Sequence, residues 1–300
     1  MSLANVLLNV LGPVAVLVAL GAVVGPRLAI DSGSLSRLAY WVFGPAFVFG
    51  LLAEADLERS VVVGLVVAAL AGMAAALLVT GAFTVVSGAG YEAGAALGMT
   101  SMWGNVGNAG LAIVAFALGD DALPVAGVLM VTINFVSLVV GVGMAQARDA
   151  SIGAAVVRAL RAPMAIAGMV ALVVNLADLD VPLVADRSIG LLADALIPVM
   201  LFGLGLQLID SGRPTWSADL GTVALAKLAV APAVAAAVAV AMGLEGDARA
   251  AVIIQSAMPP AVFCSVVAAE YDLLPDRVTA AVVFSTILSI VTLPVVLLTV

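Results

Sequence analysis

The chain has 300 residues, of which 64% are hydrophobic and only 10% are charged. A soluble domain carries roughly 25% charged residues, so this composition predicts an integral membrane protein. The chain has no histidine and one cysteine, Cys264, which excludes an intramolecular disulfide and a cysteine-cluster metal site. We therefore expect no metal and no cofactor. With 19 acidic residues against 11 basic ones, a basic surface for nucleic acid is also excluded.

Long uncharged stretches between short charged clusters predict ten transmembrane helices. About 20 apolar residues cross the hydrocarbon core as a helix, because every backbone amide must be paired within the segment. The first stretch has no positive n-region and is too long for a cleavable signal peptide, so we expect it to be a span. Breaks at charges, Pro and Gly place the spans at residues 4–25, 35–53, 60–87, 93–118, 122–147, 152–175, 188–209, 216–243, 248–271 and 276–299.

The positive charges predict the orientation of the spans. Connections after odd-numbered spans hold Arg27, Arg37, Arg148, Arg158, Arg161, Arg213 and Arg277, whereas those after even-numbered spans hold Arg59, Arg187 and Arg249. Cytoplasmic connections are enriched in Lys and Arg. Both termini are therefore expected outside the cytoplasm, in a multi-pass protein of the cell membrane.

The two halves of the sequence are related. A Pro-Phe-Gly pattern that begins at Pro45 in the second span recurs at Pro198 in the seventh, and matches in two other span pairs have nearly the same spacing. Five spans per repeat is an odd number, so the second repeat must be inverted relative to the first. Inverted repeats are typical of secondary transporters. We predict two five-helix repeats, at 1–147 and 148–300.

The fourth and ninth spans are interrupted. Residues 104–110 read Gly-Asn-Val-Gly-Asn-Ala-Gly, and each Gly costs a helix about 1 kcal/mol relative to Ala. In the ninth span, Pro259 and Pro260 remove backbone donors and push the residue before them out of the helical region. The repeat spacing places Gly107 on Pro259, so both spans are expected to break near the bilayer midplane. Irregular backbone is tolerated there only when buried in protein or lining a cavity.

Each interruption creates a new helix N-terminus, predicted at Gly110 and near Pro259–Ala261. Such ends carry unpaired N–H groups and about half a positive charge, which favours anions. Asn105 and Asn108 can cap the first end or donate to a bound carboxylate, and Pro suits the first position of the second. The alternative is that the glycines only allow close helix packing. The candidate substrate-binding residues are Asn105, Gly107, Asn108, Gly110, Gln255, Pro259, Pro260 and Ser265.

Lys227 is an ionisable residue near the middle of the eighth span. Such a residue is a functional candidate by default. It can neutralise substrate charge, change protonation during transport, or form a structural ion pair with a carboxylate such as Asp194. Asn134 and Gln207 also lie within spans, where we expect helix-to-helix hydrogen bonds.

The sequence resembles the auxin efflux carrier family, which includes prokaryotic relatives of the plant PIN-formed transporters. The resemblance covers the whole chain and depends on residues 104–111, 201–206, 227–228 with Pro232, 258–261 and 269–271, in matching order. It implies a ten-helix fold with crossed, broken helices 4 and 9, as in bile acid:sodium symporters. It also implies a scaffold of helices 1, 2, 6 and 7, through which a homodimer can form, and an elevator-like transport domain of helices 3–5 and 8–10.

The same resemblance implies organic anion substrates, such as indole acetate, malate or malonate, with Asn105, Asn108, Pro259 and Pro260 contacting the carboxylate. The chain lacks the long loop and the Asn-Pro-Asn-Thr-Tyr string of the plant proteins, which weakens the expectation of indole specificity. The alternatives are a sodium-coupled symporter and, more distantly, a membrane enzyme. Without histidine or an acidic cluster in the span interiors, the sequence favours a transporter of a small organic carboxylate over an enzyme.

Overall fold

The computed structural model describes residues 2–53, 55, 57–145, 157, 160–210 and 217–300, and within them the chain is helical. Seven of the helices are long and apolar enough to cross a membrane. The predicted all-α membrane architecture is therefore confirmed. The helices are α1 Leu3–Arg27, α2 Ser32–Ala53, α3 Arg59–Ser87, α4 Tyr91–Met102, α5 Val106–Leu118, α6 Leu123–Ala145, α7 Pro163–Leu176, α8 Leu183–Ile209, α9 Ala218–Ala241, α10 Gly246–Ser256, α11 Phe263–Glu270 and α12 Pro275–Leu297.

The helices follow most of the predicted spans closely. The fourth span is divided into α4 and α5, and the ninth into α10 and α11. In the seventh, α8 begins at Leu183, five residues before the predicted start. Charges were taken as span boundaries, but Asp186 lies in the first turn of α8, where the helix dipole favours an acid. Of the sixth span, 152–156 and 158–159 lie outside the described residues.

Proline shapes several of the long helices. A widened, π-helical turn directly precedes the Gly-Pro or Ala-Pro step at Pro13, Pro45 and Pro232. A proline ring clashes with the carbonyl four residues earlier and lacks an N–H, so the preceding turn opens to accommodate it. In α9 this turn covers Ala226–Val230, and it therefore includes Lys227.

The helices pack in two groups. One contains α1, α2, α7 and α8, and the other contains α3–α6 and α9–α12, so each group draws on both halves of the sequence. Within the first group, Gly21 of α1 lies directly against the backbone of Phe202 in α8, and Gly205 lies against Val18. A side chain at either glycine would collide with the facing backbone. The two groups meet where α5 and α6 contact helices of the first group, and where α12 contacts the π-helical turn of α1.

Polar side chains join neighbouring helices, as predicted for Asn134 and Gln207. Gln207 donates from Nε2 to Ser36 Oγ at 2.9 Å, which joins α8 to α2. Asn134 of α6 accepts at Oδ1 from the indole N–H of Trp103, the residue after α4, at 3.0 Å. At one end of the second group, Arg277 of α12 forms an ion pair with Asp219 of α9, whose side chain is buried. The contact of Gln207 thus lies within the first group, and the contacts of Asn134 and Asp219 lie within the second, which contains both interruptions.

Candidate functional site

The two interruptions cross each other inside the second helix group. The Asn105 N–H donates to the Pro259 carbonyl at 2.7 Å, and the Ala261 N–H donates to the Trp103 carbonyl at 2.8 Å. Buried backbone groups outside a helix have no intrahelical partner, and at this depth a missing hydrogen bond would be costly. The crossing therefore stabilises both interruptions at once.

The helices beyond the crossing begin elsewhere than predicted. α5 begins at Val106, one turn before Gly110, because residues 106–110 form a π-helical turn that packs against neighbouring helices. Tertiary packing here outweighs the low helix propensity of glycine. α11 begins at Phe263, after Pro259–Ala261. The residue before a proline is restricted to extended conformations, so two successive prolines delay the helix.

The start of α5 presents amide groups at the junction of the two helix groups. Asn105 precedes the helix and is buried, but its side chain makes no capping hydrogen bond. Its carbonyl accepts from the Gly110 N–H at 3.1 Å. Gly107 and Asn108 are half-buried, and Gly107 lies near Met200 of α8. The first N–H groups of a helix have no intrahelical partner, so this end remains able to bind an acceptor.

Gln255 reaches the same helix from α10. It is completely buried, and neither its Oε1 nor its Nε2 has a hydrogen-bond partner in the described part of the chain. Its Oε1 occupies the space that a side chain on Gly110 would fill. A buried amide without partners costs about 1–3 kcal/mol, which favours a site that a ligand completes. Ser265, within the first turn of α11, likewise has a buried hydroxyl without a partner in the described residues.

Lys227 brings a buried amino group to the crossing. Its side chain is 2% exposed, and its Nζ donates to the Ser256 carbonyl at 3.1 Å. Ser256 is the last residue of α10, and a cation is favourable at a helix C-terminus. A methyl group on Gly104 would lie 3.0 Å from the same Nζ. The suggested ion pair with Asp194 is wrong, because α8, in the other group, holds Asp194 exposed.

Trp103 is a residue of the crossing that the sequence reasoning missed. Besides its backbone bond, its Nε1 donates to Asn134 Oδ1 on α6. Its ring packs edge-on against Phe263, with ring centroids 5.2 Å apart. A tryptophan directly before Gly104, at the start of an interruption, is the signal that could have identified it.

The structure thus brings most of the predicted site residues together. Gly104 lies opposite Pro260 in an isolated antiparallel pair, which is the centre of the crossing. Gly107 and Asn108 lie on the adjoining turn, and Ser265 lies beyond it in α11. The assignment of these residues to substrate binding stays a prediction.

Comparisons with known proteins indicate a family. A family described as membrane transport protein matches residues 150–297. An uncharacterized transporter of Methanothermobacter thermautotrophicus is 28% identical over 271 residues, which cover 88% of this chain and 87% of that protein. Auxin efflux carrier component 2 of Arabidopsis thaliana is 29% identical over 119 residues, covering 38% of this chain and 18% of the plant protein.

The chain is thus similar to membrane transport proteins and to auxin efflux carriers, which supports a permease of the auxin efflux carrier family. The family resemblance drawn from the sequence is confirmed. The expectation of a transporter rather than an enzyme is confirmed as well. Probable auxin efflux carrier component 1b of Oryza sativa subsp. japonica is also similar, at 32% identity over 114 residues, 37% of this chain and 21% of that protein. The chain matches about a fifth of the length of these plant carriers, whereas it covers most of the archaeal transporter.

Proposed function

We propose that this family member is a secondary transporter that moves a small organic anion, auxin-like or a dicarboxylate such as malate or malonate. The crossing carries the proposal, because it combines a helix N-terminus, an unpaired buried amide and a buried cation. Residues 100–112 and 254–266 contain no acidic residue. In the described residues, no carboxylate lies within ion-pair distance of Lys227. A site with uncompensated positive charge favours a negative ligand.

The roles of the site residues follow from their positions. The amides of Asn105 and Asn108 and the first N–H groups of α5 hold the carboxylate. Gln255, which has no protein partner among the described residues, donates a further hydrogen bond. Lys227, which is buried at the crossing, neutralises the negative charge of the substrate. Gly107, Gly110, Pro259, Pro260 and Ser265 shape the site.

The two helix groups suit an elevator type of alternating access. The group of α3–α6 and α9–α12 carries the crossing, and the turn before α5 lies against α8 of the other group. In that other group, the glycine contacts hold α1 and α8 at close backbone distance. In the proposed transporter, the crossing group moves relative to a scaffold of α1, α2, α7 and α8. The topology is ten spans in two inverted repeats, 1–147 and 148–300, with both termini outside the cytoplasm and a homodimer through the scaffold.

The test is ligand binding and transport by the purified protein. Indole acetate, malate and malonate are screened by ligand-induced thermal shift, and active compounds by uptake into proteoliposomes. The double variant Asn105→Ala, Asn108→Ala should lose uptake, because both amide donors are gone. The matched control is Asn9→Ala, which removes an exposed amide on α1 far along the chain from the crossing. Uptake at the parent rate by the double variant would refute the proposed site.

A further inference from the structure

A cavity lies at the end of the helical hairpin that α3 and α4 form. It has a volume of about 350 Å³ and opens to the surface of the second helix group. Its walls are one face of α3 between residues 77 and 85, one face of α4 between residues 91 and 98, and Met144 of α6. Ligand sites in proteins have volumes of about 300–1,000 Å³, so this cavity is large enough for a ligand.

Gly81 widens the cavity although no packing contact requires a glycine there. At Gly98, on the opposite wall, a methyl group would lie 2.8 Å from the end of the Met144 side chain, so packing accounts for that glycine. A methyl group on Gly81, in contrast, would meet no atom within 4 Å. Gly81 lies inside α3, where glycine weakens a helix relative to alanine. The structural consequence of Gly81 is therefore additional space, which favours a cavity that is occupied.

The polar side chains of the cavity wall are already paired with the protein. Thr84 donates from Oγ1 to the Gly81 carbonyl at 2.8 Å, and the Tyr91 hydroxyl donates to the Met144 carbonyl at 2.7 Å. The other residues of the wall are aliphatic, glycine or methionine. A bound water typically makes about three hydrogen bonds to polar groups that lack partners. The wall offers few such groups, so it favours an apolar occupant over water.

The position of the cavity in the membrane identifies this occupant. α3 ends at Ser87, and the exposed ring of Tyr91 follows the turn, as is typical of tyrosine at a membrane interface. Residues 77 to 85 extend about 12 Å along α3, and half of a hydrocarbon core is about 15 Å thick. The cavity therefore runs along one leaflet, from the interface towards the midplane. Beside its opening Val85 is 82% exposed, so lipid tails adjoin the cavity.

We propose that the cavity binds one acyl chain of a membrane lipid. The tail lies between α3 and α4, with its end towards Gly98 and its ester group near Tyr91. The N-cap residue Gly90 makes no side-chain hydrogen bond, so the first N–H groups of α4 can donate to the ester carbonyl. The bound tail supplies the van der Waals contacts that the walls of a void would lack. This site is independent of the proposed function.

The test is photo-crosslinking in proteoliposomes made with a phosphatidylcholine that carries a diazirine in one acyl chain. After irradiation, mass spectrometry locates the lipid adducts. Ala95, a buried residue of the cavity wall, reports on a tail inside the cavity, whereas the exposed Val291 of α12 reports on bulk lipid. Gly81→Leu fills the cavity. The matched control is Gly221→Leu, because a side chain on this exposed glycine of α9 also starts in open space, but outside the cavity.

We expect adducts on Ala95 in the parent and in Gly221→Leu, and their loss in Gly81→Leu with the Val291 adducts unchanged. Adducts on Ala95 at the same yield in Gly81→Leu would overturn the proposal. Their absence from the parent would also overturn it and would leave the cavity to water or to another part of the protein.

Thermal unfolding in detergent shows that the variants fold. Gly81→Leu should unfold at a temperature no lower than the parent, since leucine favours a helix and fills a void. A lower temperature would contradict the open space at Gly81 and overturn the proposal. Gly81→Ala, whose methyl group meets no neighbour, is the second variant and should reduce the Ala95 adducts in part. An unchanged yield of these adducts in both Gly81 variants would refute the site.

Discussion

Three glycines of the interruption should tolerate alanine very differently, although the sequence presents them alike. A methyl group on Gly107 would lie 3.7 Å from the nearest side-chain atom, which is ordinary contact. On Gly104 it would lie 3.0 Å from the Nζ of Lys227, which must then shift by a few tenths of an ångström. On Gly110 it would collide with Oε1 of Gln255. We therefore expect damage to increase in the order 107, 104, 110.

The magnitudes follow from helix propensity and packing. Alanine within a helix gains up to about 1 kcal/mol over glycine, so Gly107→Ala should leave the free energy of unfolding unchanged or raise it. Gly110→Ala has the same gain, but it overpacks a buried site at a cost of about 1–3 kcal/mol. Its free energy of unfolding should therefore lie about 1–3 kcal/mol below that of Gly107→Ala. Gly104→Ala should fall between them.

Thermal unfolding of the purified variants in detergent measures this order, and proteoliposome uptake measures its effect on the site. A double-mutant cycle provides the control. Combining Gly110→Ala with Gln255→Ala removes the amide that collides, so the pair should be more stable than the sum of the single changes predicts. If Gly110→Ala unfolds at the same temperature as Gly107→Ala, or if Gln255→Ala gives no rescue, the contact between Gln255 and Gly110 is wrong.

Two further predictions concern charges. Lys227→Met should abolish most transport, because the Ser256 carbonyl loses a charge-assisted hydrogen bond worth about 1.5–3 kcal/mol. Lys227→Arg should retain part of the transport activity. Full uptake by Lys227→Met would exclude a role for the charge. Arg277→Met should lower the free energy of unfolding by about 1–3 kcal/mol, less than for a fully buried pair because the Arg277 side chain is 42% exposed. In denaturation experiments, the double variant Asp219→Leu, Arg277→Met should recover part of the lost free energy of unfolding. A double variant that is less stable than Arg277→Met alone would contradict the ion pair.

The sequence predicted the class of protein and the place of the interruptions because both depend on local properties. Apolar stretches long enough for a bilayer identify spans by composition alone. Pro259 and Pro260 break a helix through their own rings, whatever their surroundings. The breaks at residues 103–105 and 257–262 were therefore predictable within a few residues. The predicted helix-to-helix bonds of Asn134 and Gln207 were also correct, since a polar group inside a span needs a partner there.

The details of the site depended on contacts between distant residues. Two backbone hydrogen bonds place Gly104 opposite Pro260, a pairing that the sequence reasoning did not predict. Glycine content suggested that α5 begins at Gly110, but residues 106–110 are helical. That prediction failed because packing of the turn outweighs a helix propensity of about 1 kcal/mol per glycine.

By itself, the sequence determined that this chain crosses the membrane in many spans and that two spans are interrupted, and it predicted that helix ends at the interruptions favour an anion. These follow from hydrophobic length, proline geometry and the helix dipole, which act within one segment. The tertiary structure alone decided that the interruptions pair through their backbones, that Lys227 reaches the end of α10, and that Gln255 lies against Gly110. Those contacts join residues 29 to 158 positions apart, and only folding brings them within hydrogen-bond or van der Waals distance.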